Sequence, residues 1–98
     1  MDRGENILIT GATGGIGGAI ARAFAAAGAK LFLQGTSEEK LKSLMDELKA
    51  AGYACGNKAI VLNTPQDARE LVDAAVSGMG SIDVLVNSAG INRPQKSV

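Results

Sequence analysis

Apolar positions along this chain switch between short unbroken runs and a three-and-four spacing. Ile7-Leu8-Ile9 is a run without polar alternation, the mark of a strand buried on both faces, and it stops at Thr10-Gly11. From Ile16 the spacing becomes helical: Ile16, Ala19, Ile20, Ala23, Phe24 and Ala27 share one face, and Gly28 is placed to close that helix. Leu31-Phe32-Leu33 is the second strand. Thr36-Ser37-Glu38-Glu39 reads as a capping box with Thr36 at the N-cap and Glu39 at N3. Leu41, Leu44, Met45 and Leu48 then form the inner face of a second helix, which Gly52 ends. Ala59 to Leu62 is the expected third strand. Thr64 is an N-cap with Pro65 at N1, where the missing N–H costs nothing, and Ala68, Leu71, Val72, Ala75, Val76 and Met79 give a third helix face. Ile82 and Val84-Leu85-Val86 form a fourth strand ending at Asn87-Ser88-Ala89-Gly90.

This order, strand and helix in alternation with no hairpin signal, predicts an α/β fold with a parallel sheet. Right-handed crossovers leave few topologies. The doubly wound one puts the four strands in the order 3-2-1-4, with the switch point between the first and the fourth. The 98 residues suffice for one domain, and the fourth strand is expected to offer an apolar edge, an invitation to association.

Composition narrows the function. Ten basic and ten acidic residues cancel, whereas a nucleic-acid or membrane-surface partner calls for a basic excess. Aromatic rings for stacking on bases are few: Phe24, Phe32 and Tyr53. No apolar stretch is long enough to span a bilayer, and the first residues do not read as a secretory signal. Cys55 is the single cysteine, which suits a reducing, cytoplasmic setting. Without histidine, and with one cysteine, the chain has no set of zinc ligands and no histidine base.

The sharpest motif is Thr10-Gly11-Ala12-Thr13-Gly14-Gly15-Ile16-Gly17, between the first strand and the first helix. Glycines there let the backbone turn tightly and approach a pyrophosphate, and the helix N-terminus offers free N–H groups and the positive end of its dipole. The alternative is a tight turn without a nucleotide. The second motif, Asn87-Ser88-Ala89-Gly90, follows the fourth strand. Two small-residue loops thus flank the switch point, where open α/β sheets bind ligands.

Thr-Gly-x-x-x-Gly-Ile-Gly at 10–17 and Val-Asn-Ser-Ala-Gly-Ile at 86–91 resemble the signatures of the short-chain dehydrogenases/reductases, and the resemblance runs from Ile7 through Arg93. It implies a partial Rossmann-type doubly wound sheet, residues 1–98 being the N-terminal dinucleotide-binding part of a longer, apparently truncated domain. Gly-Thr-Ser-Glu-Glu-Lys-Leu at 35–41 and Leu-Asn-Thr at 62–64 look most like 3-oxoacyl-[acyl-carrier-protein] reductase of fatty-acid synthesis; sugar and polyol dehydrogenases share the same half. The resemblance implies an NAD(P)-dependent oxidoreductase acting on a small carbonyl substrate, a tetramer when complete.

Carried over residue by residue, the resemblance has Gly11, Thr13, Gly14, Gly15, Ile16 and Gly17 around the pyrophosphate and adjoining ribose. Thr36 lies near the adenosine ribose, Asn63 and Thr64 flank the adenine, and Asn87, Ala89 and Gly90 line the floor beneath the ribose units. The family's usual Asn-Asn-Ala-Gly is Asn87-Ser88-Ala89-Gly90 here, and Asn63 stands where many relatives carry Asp. NAD-specific sites place a carboxylate at the end of strand two; this chain has Gln34-Gly35-Thr36-Ser37 instead, which favours NADP(H) over NAD(H).

Carbonyl reduction also needs a proton donor. The family's Ser and Tyr-x-x-x-Lys are not found: the only tyrosine is Tyr53, with Asn57 four residues on. No catalytic residue is assigned within the chain. Two readings remain: an oxidoreductase piece, or a non-catalytic nucleotide-binding module.

Overall fold

The protein is described by a computed structural model covering residues 4–88. Its elements, in order, are β1 (Asn6–Thr10), α1 (Gly15–Ala26), β2 (Lys30–Gly35), α2 (Glu38–Ala50), β3 (Cys55–Ala59), α3 (Pro65–Met79) and β4 (Val84–Asn87). The sheet is parallel, with strand order β3-β2-β1-β4, as the alternation of elements predicts. β1 sits between β2 and β4 and is buried throughout. Ile7 and Ile9 enter one apolar cluster with Leu31, Leu33, Leu41 and Leu48, and Leu8 enters the other with Phe32, Leu71 and Ala75. A strand covered on both faces has no solvent side, which is why its sequence does not alternate.

The first two helices end where expected, with Gly28 after α1 and Gly52 after α2, and Gly80 caps α3. Asn6 anchors the opposite end of β1. Its N–H donates to Asp83 Oδ2 at 2.8 Å and its side-chain amide to Ser81 Oγ at 3.0 Å, holding the α3–β4 turn against the sheet.

Four local expectations are corrected. The third strand is Cys55–Ala59, earlier than the apolar run Ala59 to Leu62. The chain leaves α2, Leu31 N–H bonds Ala54 O, and pairing with β2 begins at once; it stops where Gly35 faces Ala59 because β2 itself ends there. Val61 is consequently 52% exposed. The cap of α2 is Ser37, whose hydroxyl accepts from Lys40 N–H, and Thr36 lies one residue outside the helix. Glu39 therefore does not stand at N3 of a capping box. The sheet-facing side of α1 is Gly17, Gly18, Ala21 and Ala25, with Ile20 and Phe24 half-buried, while Ile16, Ala19, Ala23 and Ala27 are exposed. On α3, Leu71 and Ala75 are buried, and Ala68, Val72 and Val76 lie out. In both helices the apolar arc is wider than the sheet can cover, and on α1 only the glycines and alanines come fully against it.

Candidate functional site

The glycine loop sits at the carboxyl end of β1, beside β4, at the switch point. Gly11 turns the chain with φ of 66°, a backbone region that costs a side-chain-bearing residue about 1–2 kcal/mol. Its peptide is held from both sides: Gly11 N–H donates to Gln34 Oε1 at 2.8 Å, and Gly11 O lies 3.1 Å from the Ser88 hydroxyl. Gly11 thus shapes the loop with its own N–H already spent.

Gly14 is the N-cap of α1 and offers no side-chain cap, so the first-turn N–H groups of the helix have no partner from a cap and face outward for an acceptor. Gly15, the first helical residue, is exposed, and a Cβ there would meet nothing within 4 Å. Ile16 is exposed beside it. Gly17 is the reverse: a Cβ would collide with the Gly11 carbonyl and stand 3.0 Å from Ala12 Cα. The helix can come this close under the loop only because position 17 has no side chain.

The second loop is tied to the first. Thr10 Oγ1 donates to Asn87 Oδ1 at 2.9 Å, and Ser88 Oγ donates to Thr10 O at 2.5 Å. Ser88 is fully buried. The Ser88 hydroxyl thus ties the end of β4 to the backbone of the glycine loop. Ala89 and Gly90, expected beneath the ribose units, lie outside the described residues.

Thr36 is exposed just past β2, at the same end of the sheet. Asn63 and Thr64 open α3 on the far side of β2. Their N–H groups both donate to Asp67 Oδ2, at 2.9 and 3.0 Å, and Thr64 Oγ1 accepts from Asp67 N–H. These backbone donors hold the Asp67 carboxyl below its ordinary range. The capping box is thus at Thr64 and Asp67, not at Thr36. The loops after β1, β2, β3 and β4 all stand at one end of the sheet.

A groove of about 520 Å³ runs from the glycine loop between α1 and α2, lined in part by Thr13, Gly14, Gly15, Arg22, Lys40 and Glu47. Arg22 is committed to Glu47, at 2.6 and 3.0 Å; the carboxylate raises the guanidinium and is itself lowered by it. Among the described residues the ion pairs are this one and Lys42–Asp46, so the Lys40 ammonium is paired in neither. Lys40 is a site neighbour that sequence reasoning gave no role; Gln34 entered there only as part of the carboxylate-free end of strand two, and Ser88 only as a departure from Asn-Asn-Ala-Gly, with no signal for the contacts either side chain makes.

Tyr53 follows α2, level with the beginning of β2, at the end of the sheet away from the glycine loop. It is not placed as a proton donor for this site. Burial pushes the neighbouring Cys55 thiol up. Among the described residues no group of three or more potential metal ligands converges, and no helix is long and apolar enough to cross a membrane.

A statistical description of the family "short chain dehydrogenase" matches residues 5–98. A protein of Streptomyces violaceoruber named as ketoacyl reductase 1 of the granaticin polyketide synthase is 45% identical over 83 residues, 85% of this chain and 30% of that protein. The crystal structure of a variant of actinorhodin polyketide ketoreductase with NADPH superposes with a TM-score of 0.81 at 37% identity, covering 86% of this chain and 32% of the other. A 7α-hydroxysteroid dehydrogenase complexed with NADH and 7-oxo glycochenodeoxycholic acid gives 0.83 at 33% identity, covering 87% and 33%. The chain spans about a third of the length of the relatives it matches.

Proposed function

The chain belongs to the short chain dehydrogenase family, and from that membership we propose that it forms the cofactor-binding part of an NADPH-dependent carbonyl reductase. The observation that carries the proposal is the uncapped N-terminus of α1 under a glycine loop at the switch point. The site fits a dinucleotide: the helix offers N–H groups and the positive dipole end to a pyrophosphate, and of the two carboxylates lining the adjoining groove, Glu47 is paired with Arg22.

In this reading Gly11 sets the turn, and Thr13, Gly14, Gly15, Ile16 and Gly17 take the pyrophosphate and adjoining ribose. Thr36 serves the adenosine ribose, Asn63 and Thr64 the adenine, and Asn87, Ala89 and Gly90 the ribose units above the sheet. NADPH is favoured over NADH because residues 34–37 carry no carboxylate and the Lys40 ammonium stands in the first turn of α2, where it offsets one of the two carboxylates, Glu38 and Glu39. When bound, the cofactor supplies hydride to the carbonyl carbon. The proton for the carbonyl oxygen comes from the family's Ser, Tyr and Lys, which are not among the described residues.

The substrate we propose is a 3-oxoacyl thioester, as in fatty-acid synthesis, supported by the relatives named as ketoacyl reductases. We place the complete enzyme in the cytoplasm as a homo-oligomer. Titration calorimetry tests the binding step. NADPH is expected to bind more tightly than NADH, and Gly15→Val, which has open space for its side chain, is expected to abolish binding with the circular dichroism spectrum unchanged. Unaltered affinity in Gly15→Val would overturn the assignment.

A further inference from the structure

Gln34 is 4% exposed, at the end of a strand whose other inner residues are apolar, and both ends of its side-chain amide are used. Oε1 accepts from Gly11 N–H at 2.8 Å, and Nε2 donates to Ile60 O at 2.6 Å. The two partners fix the orientation of the amide, since an N–H needs an acceptor and a carbonyl a donor. Its main chain continues the same connection: Ala12 N–H bonds Gln34 O at 2.9 Å, and Ile60 N–H bonds Gly35 O at 3.0 Å. Residues 34 and 35 therefore brace two loops at once. One is the glycine loop. The other begins at Ile60 and carries Asn63 and Thr64.

We propose that Gln34 is a positioning residue that holds the pyrophosphate loop and the adenine-side loop at a fixed spacing, so that a whole dinucleotide meets both in register. The inference rests on the cofactor reading above. It assigns Gln34 no contact with the ligand: the side chain is 4% exposed and both ends of its amide point into the fold, away from a ribose hydroxyl. A carbon side chain of similar shape would leave the half-buried Gly11 N–H and Ile60 O without these partners, and the loops would shift to satisfy them.

The test is Gln34→Met, with two ligands and one ligand-free measurement. NADP+ spans both loops, whereas adenosine 2′-monophosphate lacks the pyrophosphate. The expected result is that NADP+ binding weakens by roughly tenfold or more and that of the monophosphate by no more than about twofold. A parallel loss for both ligands, or no loss for either, overturns the proposal, because a merely structural residue moves the two together. Amide hydrogen exchange needs no ligand. In the unmodified protein Gly11 N–H is expected to exchange more slowly than Gly15 and Ile16 N–H, and Gln34→Met is expected to remove that difference while Ile7–Ile9 stay protected. A Gly11 N–H that exchanges as fast as its loop neighbours in the unmodified protein overturns the brace even if the variant fails to fold. Failure of the unmodified protein to bind NADP+ alongside a protected Gly11 would count against the cofactor reading and leave the brace itself measured.

Discussion

Gly17 at the start of α1 and Ser88 after β4 adjoin one small space: a Cβ on Gly17 would stand 2.7 Å from Ser88 Oγ. Residues 71 positions apart in sequence thereby set how closely the helix, the glycine loop and β4 pack. The backbone wall of the same space is the Gly11 carbonyl, which cannot rotate away as a side chain can.

Gly17→Ala is therefore expected to destabilise the protein by about 3 kcal/mol or more, at the upper end of overpacking costs. Ser88→Ala should not rescue it, because the collision with the Gly11 carbonyl remains. Gly15→Ala, two residues earlier and in open space, should stay within about 0.5 kcal/mol of the unmodified protein. Urea unfolding of the unmodified protein, Gly17→Ala, the Gly17→Ala/Ser88→Ala double variant and Gly15→Ala checks the set; a Gly17→Ala as stable as Gly15→Ala would contradict the geometry.

Cofactor choice is expected to respond at Gly35 and not at Gln34. A residue at position 34 points inward to Gly11 and Ile60, so Gln34→Asp should lower stability by about 1–3 kcal/mol and leave the ratio of NADPH to NADH affinity unchanged. Gly35 lies beneath the glycine loop, where a Cβ would stand 3.0 Å from the Thr13 methyl and 3.3 Å from Leu41 Cγ. Gly35→Asp brings a carboxylate to the cofactor side of β2, and the affinity ratio should move toward NADH. Paired titrations of each variant with both cofactors decide this, and a shift in Gln34→Asp alone would reverse the assignment.

Asp67 gives a pH dependence of known sign. Its folded-state pKa is lowered by the N–H groups of Asn63 and Thr64, so its contribution is present above the ordinary carboxylate range and is lost as pH falls through the lowered value. The melting temperatures of the unmodified protein and Asp67→Asn should differ most near neutral pH and converge in acid. A gap that widens in acid would show that the carboxylate is not held by those donors.

Cys55 is expected to be a slow nucleophile, because burial raises its thiol pKa and leaves little thiolate. Alkylation by iodoacetamide at mildly alkaline pH should run slower than that of a free thiol such as glutathione. Equal rates would mean that the β3 edge opens readily.

Much of this architecture is legible in the chain's own order of residues. The run Ile7-Leu8-Ile9, the glycines from Gly11 to Gly17 and the helix stops at Gly28 and Gly52 are local signals, and strand–helix alternation with right-handed crossovers leads to the order β3-β2-β1-β4. Apolar spacing also marks the helices correctly. It does not say which part of an apolar arc meets the sheet, so Ile16 and Val72 read as core and stand exposed.

What only the tertiary structure decided are the relations between distant backbones. The third strand begins at Cys55 because β2 offers partners there, not because its residues are the most apolar. Ser37 caps α2 because β2 runs to Gly35 and leaves Thr36 outside the helix. Gln34 looks like one more residue at a strand end until Gly11 and Ile60 are found at the two ends of its amide. Hydrophobic period is written one residue at a time, whereas the satisfaction of a buried polar group depends on which other segment arrives beside it; that is why the elements could be read from the sequence and the brace between the loops could not.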